Sequence, residues 1–216
     1  MIERAHVLIC SGSNCISRGA KSLSEEFETH LGNLGIREEI KLVNTGCVGL
    51  CEQGPFVIVY PEGVFYAQVK NKDIETICNE HLYKGRIVEK LVFDEALTPD
   101  KEVKAFDEIK FYSKQTRVAL RNCGLINPDD IEEYIARDGY RGLGKVLLEM
   151  SPEEVIEEMI KSGLRGRGGG GFPTGVKWKF AFNNESDQKY MICNADEGDP
   201  GAFMDRALLE GDPHSV

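Results

Sequence analysis

The sequence predicts an α/β protein in two parts, and three observations carry the prediction. Over roughly the first 80 residues, short apolar runs alternate with an amphipathic helical stretch and then with a pair of runs joined by a tight turn. Within that part, four cysteines fall in two pairs, each in a small-residue loop at the end of a predicted strand. Farther along, a basic glycine-rich loop precedes an apolar run that opens into an acidic turn, the strand-end position where open α/β sheets place ligands.

The totals bound the answer. At 216 residues, 41% hydrophobic and 29% charged, the chain fits one large or two modest globular domains. No apolar run approaches the roughly 18 residues of a membrane span, so no span is expected. The start, MIERAHVLIC, is charged and runs straight into a strand, unlike a signal peptide. The expected location is therefore cytoplasmic and reducing. A net charge of −10 argues against general binding to nucleic acid or an anionic membrane. Seven cysteines in such a compartment are metal ligands or core residues before they are disulfides.

In order, Ala5 to Cys10 (AHVLIC) reads as a short buried strand, and the loop CSGSNC carries the chain to Cys15. Ser17 to Leu34 places Leu23, Phe27, Leu31 and Leu34 at helical spacing, stopped by Gly32 and Gly35. Glu39 to Val43 is a second strand, and Gly46 to Gly54 (GCVGLCEQG) a second tight loop. Phe56 to Tyr60 and Val64 to Val69 are strands joined by the turn Pro61-Glu62-Gly63, and Asp73 to His81 is a closing helix.

The cysteine pattern is Cys10-x4-Cys15, a gap of 31 residues, then Cys47-x3-Cys51. Two loops at strand ends can close on one centre, and loop glycines let backbone N–H groups reach cluster sulfurs and tune their potential. A [2Fe–2S] cluster suits this set. Four thiolates also suit zinc, although zinc ribbons show C-x2-C knuckles and neither pair here has that spacing. Without a C-x-x-C, a redox disulfide is a weaker reading. Cys78 on the closing helix, Cys123 and Cys193 are expected to be small core hydrophobes. His6, His30, His81 and His214 are scattered singly and read as structural.

The stretch from Tyr83 to Asn127 mixes charges of both signs, with Ile87 to Phe93 a possible short strand and Pro99 to Phe111 a helix or a tether. It reads as a connector with a solvated face. Asn127-Pro128-Asp129-Asp130 is a helix start running to about Arg137. Ser151-Pro152-Glu153-Glu154 is a second, with capping-box spacing, an apolar face of Val155, Ile156, Met159 and Ile160, and a stop at Gly163. The expected boundaries are 1–83 for the first domain, 84–126 for the connector and 127–216 for the second domain.

Between Lys161 and Phe180 there are five Lys and Arg and no acid. Gly166 and the run Gly168 to Gly171 allow close backbone approach, so this loop fits a docked anion, most simply a phosphate. A flexible linker or an RNA-binding RGG tract is the plainer reading, but such tracts repeat and this one occurs once. Lys189 to Cys193 (KYMIC) reads as a buried strand opening into Asn194-Ala195-Asp196-Glu197-Gly198. Carboxylates and an amide there can bond ribityl or ribose hydroxyls and ring N–H groups. Together the basic and acidic loops fit a ligand with a phosphate at one end and a hydroxylated or heterocyclic middle, either a flavin mononucleotide or a nicotinamide dinucleotide.

The order β-α-β-β-β-α in about 80 residues, with Val48-Gly49 inside the second cysteine pair, resembles the thioredoxin-like [2Fe–2S] ferredoxins. These include the small NADH-dehydrogenase subunit of respiratory complex I. The resemblance implies Cys10, Cys15, Cys47 and Cys51 as cluster ligands. GLRGRGGGGFPTGVKWKF followed by CNADEGDPGAFMDR resembles the flavoprotein subunit that oxidises NADH in complex I and related soluble dehydrogenases. It implies that Gly166, Arg167, Gly168, Gly169, Lys177, Asn194, Asp196 and Glu197 line an FMN pocket. It further implies that Phe172, Lys177 and Phe180 face NAD(H) or NADP(H), Phe172 by stacking. The fold expected is thus a thioredoxin-like ferredoxin domain followed by the first, incomplete part of an α/β FMN- and NADH-binding domain.

Complex I keeps these modules on separate chains. The fusion, and the wording EGDPGAFMDRALLEGDPHSV, resemble the β subunits of NAD(P)-linked, electron-bifurcating [FeFe]-hydrogenases and similar formate-dehydrogenase subunits. The resemblance implies an oxidoreductase subunit that moves electrons between NAD(P)H, FMN and iron–sulfur clusters alongside the other subunits of a hydrogenase or dehydrogenase complex. A complex I-type subunit, or a [2Fe–2S] carrier or docking module without a working flavin site, is the alternative. The relatives continue beyond the position of Val216 with the segment that completes the flavin pocket and with a four-cysteine [4Fe–4S] site. The expectation is that this stretch alone is inactive.

Overall fold

A computed structural model describes residues 3–96, 105 and 108–216. It divides into two compact units, Met1–Tyr134 with Glu197–Val216, and Ile135–Asp196. Most of the expected helix or tether over 99–111, including Asp107, lies outside the described residues.

The first unit is built on a four-stranded sheet in the order β2-β1-β3-β4. Strand β1 (Ala5–Cys10) is interior, which is why its sequence is a near-continuous apolar run. It pairs in parallel with β2 (Ile40–Thr45), from Ala5 opposite Ile40 to Cys10 opposite Thr45, and antiparallel with β3 (Val57–Tyr60). A turn at Gly63, where φ is 69°, returns β3 into β4 (Val64–Tyr66). The parallel pair needs a crossover. It is made by α1 (Ser13–Ser17) and α2 (Ala20–Asn33). The expected single helix from Ser17 is divided because Gly19 is left-handed, with φ at 99°. Leu23, Phe27 and Leu31 of α2 are fully buried, each contributing about 1.5–3 kcal/mol by leaving water. The Ile36 N–H closes back on the Leu31 carbonyl to end the helix.

Helix α3 (Asn71–Thr76) continues as a wider π-type turn over Ile77–Tyr83, burying Ile74, Ile77, Cys78 and Leu82. The possible strand over Ile87 to Phe93 is instead a 3-10 turn at Glu89–Leu91 with one bridge, Val92 to Tyr66. Bonds from Leu91 N to Val88 O at 2.9 Å and from Val92 N to Glu89 O at 3.1 Å turn the chain before a ladder can extend. Beyond it lies α4 (Lys110–Ser113). Ile109, Tyr112, Cys123 and Ile126 are buried, so this stretch contributes core residues as well as a charged face. The Thr45 hydroxyl donates to the Ile126 carbonyl at 2.9 Å and accepts the Gly124 N–H at 2.8 Å, fastening the segment to the end of β2. Helix α5 (Ile131–Ala136) starts later than Asn127 because Asp130 supplies the capping carboxylate to Glu132 N.

The second unit carries α6 (Arg141–Glu149), which the sequence reading did not anticipate, α7 (Pro152–Ser162) and α8 (Thr174–Asn183). The expected capping box at Ser151 and Glu154 is formed, and Gly163 ends α7 with φ at 68°. Helices α7 and α8 meet at Gly175, where a Cβ would stand 2.5 Å from Ile160 N. The expected strand Lys189 to Cys193 is absent among the described residues. Tyr190, Met191 and Ile192 are largely exposed and no neighbouring strand offers a ladder. Helix α9 (Met204–Gly211) belongs to the first unit. No helix of the described residues is long and apolar enough to cross a membrane.

Candidate functional site

Cys10 at the end of β1 and Cys15 in α1 are each 2% exposed, whereas Cys47 and Cys51, in the loop after β2, are part-exposed. The sulfurs are in hydrogen-bonding contact as a chain, Cys15 to Cys10 to Cys47 to Cys51. Among the described residues they do not converge on one point as a group for a single metal ion.

The approach of the two loops depends on absent side chains. A Cβ on Gly12 would stand 3.0 Å from Cys47 Sγ, and one on Gly54 2.6 Å from Cys15 Sγ. Backbone N–H groups of Val48, Gly49 and Phe56 point at the sulfurs of Cys10, Cys47 and Cys15 respectively. Asn14 reaches the Cys51 sulfur and donates to the Cys51 carbonyl at 3.2 Å. Arg18 braces the same loop through the carbonyls of Glu52 at 2.7 Å and Gly54 at 3.3 Å.

The electrostatics ask for a cation. The hydrogen bond to Cys15 pushes the Cys10 thiol up to about 11, and the bond to Cys10 with burial pushes Cys47 higher still. Burial and the nearby Cys47 raise Cys51. Cys15 alone is lowered, first by the bond it accepts from Cys10. Four thiolates so placed repel one another, and a multivalent metal centre offsets that repulsion while the N–H groups serve its sulfurs. A spread set of four thiolates with a glycine cradle fits a two-iron centre.

Behind this loop, Cys123 is buried against Gly46 and Gly211, where a Cβ on either glycine would come within 2.8 Å of its sulfur. Cys78 is buried as expected, but Cys193 is exposed, a correction that follows from the missing strand around it. A cleft of about 590 Å³ opens beside Cys47 and Cys51, with Asn14, Ile16, Phe203 and Arg206 on its walls. The sequence reading missed Asn14, Arg18 and Tyr112 as neighbours of the cysteines. Asn14 lies inside the C-x4-C loop and was the one with a local signal.

In the second unit the glycine loop is pinched shut. Gly166 N donates to Phe172 O at 2.9 Å, Thr174 N to Leu164 O at 2.9 Å, and Arg165 Nε to Gly171 O at 2.6 Å. Gly169 and Gly171 take φ of 91° and 58°. Arg165 therefore braces the loop, and Arg167 lines an adjacent cleft with Met159, Ser162 and Leu164. The loop leads directly into the N-terminus of α8, an anion-favouring position, with Gly168 and Gly169 exposed and Lys177 in the first turn. Phe172 and Phe180 are exposed with ring centroids 6.4 Å apart, tilted 42°.

Asn194 Oδ1 accepts the Asp196 N–H at 3.0 Å in a local turn. Among the described residues, no hydrogen bond, ion pair or ring contact joins Asn194 or Asp196 to residues 164–180. Glu197, in the first unit, caps α9: its carboxylate accepts Asp205 N at 2.7 Å and Arg206 N at 3.1 Å.

Comparison with known proteins agrees with both motifs. Residues 2–81 match the thioredoxin-like [2Fe-2S] ferredoxin family, and residues 159–216 match the Nuo51 FMN-binding domain. The NADP-reducing hydrogenase subunit HndC of Solidesulfovibrio fructosivorans is 66% identical over 103 residues, 48% of this chain and 21% of that one. The NAD-reducing hydrogenase HoxS subunit alpha of Cupriavidus necator is 33% identical over 196 residues, 91% of this chain and 30% of that one. The thioredoxin-like [2Fe-2S] ferredoxin of Aquifex aeolicus, a solved structure, is 33% identical over 43% of this chain and 98% of its own, with a TM-score of 0.39. The chain spans about a fifth to a third of the length of these curated relatives.

Proposed function

We propose that this chain, a thioredoxin-like [2Fe–2S] ferredoxin domain followed by Nuo51-type FMN-binding sequence, is the electron-entry part of an NAD(P)H-linked oxidoreductase subunit that works within a hydrogenase complex. The observation that carries the reading is the gathering of four thiols from two glycine-lined loops in a chain that also holds the basic glycine loop. The ferredoxin domain is taken as residues 1–83, the flavin segment as 127–216, and 84–126 as the connection. Seven free cysteines suit a cytoplasmic, reducing setting.

Bound FMN supplies hydride exchange with the nicotinamide and one-electron exchange with the [2Fe–2S] centre. This chain's own residues bind and orient. Cys10, Cys15, Cys47 and Cys51 hold the two irons, and the N–H groups of Val48, Gly49 and Phe56 stabilise negative charge on their sulfurs. The amides of Gly168 and Gly169, in the loop before α8, with the charges of Arg167 and Lys177, hold phosphate, while Gly166 lines the pocket by closing the loop on Phe172. Phe172 and Phe180 offer aromatic faces to the nicotinamide nucleotide. Asn194 and Asp196 bond ribityl hydroxyls, and Glu197 shapes their turn by capping α9.

Anaerobic reconstitution of the chain with iron, sulfide and FMN tests the reading. A [2Fe–2S] absorption and electron paramagnetic resonance (EPR) signal is expected from this chain; flavin retention, and the cluster reduction by NADH or NADPH that names the nucleotide, are expected of a longer protein that contains it. Zinc without acid-labile sulfide would sink the cluster assignment. A second reading, a [2Fe–2S] carrier without a flavin site, is favoured by the lack, among the described residues, of any hydrogen bond, ion pair or ring contact joining Asn194 or Asp196 to residues 164–180. It predicts the cluster signal with no flavin retained.

A further inference from the structure

The Tyr112 hydroxyl donates to the Val48 carbonyl at 2.6 Å. That carbonyl belongs to the Val48–Gly49 peptide, and the N–H of the same peptide, on Gly49, donates to the Cys47 sulfur. The left-handed Gly49, with φ at 93°, lets the loop present this N–H while the carbonyl faces the tyrosine. A hydrogen bond into a peptide carbonyl polarises the group and strengthens its N–H as a donor.

We propose that Tyr112 is a positioning residue that raises the reduction potential of a cluster held by Cys10, Cys15, Cys47 and Cys51, acting through the Val48–Gly49 peptide on the Cys47 sulfur. The proposal rests on the cluster reading above. Reduction places one more electron on the centre, and part of that charge falls on the ligand sulfurs. A stronger N–H bond to sulfur therefore favours the reduced form.

The ring is fixed independently of its hydroxyl. It meets Phe65 edge-on at 6.3 Å and Phe111 at 5.0 Å, and the Arg117 guanidinium lies 5.5 Å from its centroid. Arg117 is itself tied to the Cys123 carbonyl at 2.8 Å. Burial holds the phenol well above its ordinary range against the opposing pull of Arg117. The group stays protonated and remains a donor. Removing only the oxygen thus leaves the packing in place.

The test is an EPR-monitored redox titration of the full reconstituted chain, comparing wild type with Tyr112→Phe. Tyr60→Phe is the reference, since that hydroxyl donates to Gly124 O rather than to the cysteine loop. Tyr112→Phe is expected to load the cluster fully and to disfavour reduction by about two- to fourfold, a fall of about 20–35 mV at 59 mV per tenfold for one electron. Tyr60→Phe is expected to match wild type. An unchanged potential in Tyr112→Phe, an equal shift in Tyr60→Phe, or failure of Tyr112→Phe to load would each overturn the proposal. A wild-type chain with no [2Fe–2S] signal would instead refute the cluster reading beneath it.

Discussion

Gly54 stands so close to Cys15 that a Cβ on the glycine would lie 2.6 Å from the cysteine sulfur. The second loop reaches the first only because this side chain is missing. In Gly54→Ala, then, a buried cysteine must move or the loop must open, and overpacking of this kind costs about 1–3 kcal/mol. Iron and sulfide retained after reconstitution should fall, with a lower urea midpoint. Gly32, inside α2 with nothing within 4 Å of its absent Cβ, is the contrast. Gly32→Ala should stabilise by about 0.5–1 kcal/mol with loading unchanged. Equal loading in both variants would show that the close approach is unimportant to the site.

The cysteines outside the quartet differ in exposure, and alkylation reads that difference. Cys193 is exposed, whereas Cys78 and Cys123 are each 0% exposed. Burial also holds the Cys78 and Cys123 thiols up at about 12, so both accessibility and thiolate supply oppose reaction. Iodoacetamide at pH 8 should label Cys193 first among these three in the native chain, and the other two only after unfolding, as followed by peptide mass spectrometry. Early labelling of Cys78 would contradict the packing of the π-type turn that follows α3.

Much of the ferredoxin part was legible because its signals are local. Leu23, Phe27 and Leu31 mark one helix face, and the cysteine loops sit where apolar runs end. The contacts that finish the site are not local. Tyr112 lies 64 positions from Val48, and no pattern in either stretch announces the other. Helix α6 carries Gly142 and Gly144, which weaken its helical signal, yet a Cβ at either position would meet nothing within 4 Å. The apolar run Lys189 to Cys193 erred the other way. Apolar content announces burial, but a strand also needs a neighbour, and the described structure offers none there.

His81 gives the first unit a pH-sensitive contact. Its Nδ1 is hydrogen-bonded to the Tyr66 hydroxyl at 2.8 Å, and that oxygen accepts the Val88 N–H at 3.1 Å. Burial lowers the His81 pKa from 6.5, with Glu62, 3.9 Å from Nε2, opposing the shift. The unfolded chain therefore binds this proton more readily than the folded one. The contribution of His81 is full above about pH 6.5 and is lost as pH falls from there toward the lowered folded value. Urea unfolding should show stability declining between pH 7.5 and 5.5, with a slope of at most about 1.4 kcal/mol per pH unit from this one group. His81→Gln should flatten that part of the profile. An unchanged slope in the variant would assign the dependence to other groups.

Glu197 separates a role in shape from a role in ligand contact. Both its carboxylate oxygens are engaged at the start of α9, accepting from Asp205 N and Arg206 N. Those N–H groups hold its pKa below the ordinary carboxylate range, the Asp205 bond most strongly. With Glu197→Ala, two donors at a helix start lose their acceptor. A loss of stability is expected, and it should appear in flavin-free protein. Glu197→Gln keeps one acceptor oxygen and should recover part of it. Urea titration of the flavin-free chain is therefore decisive. If Glu197→Ala is as stable as wild type there and loses only flavin retention, the carboxylate serves the ligand directly and the capping role is wrong.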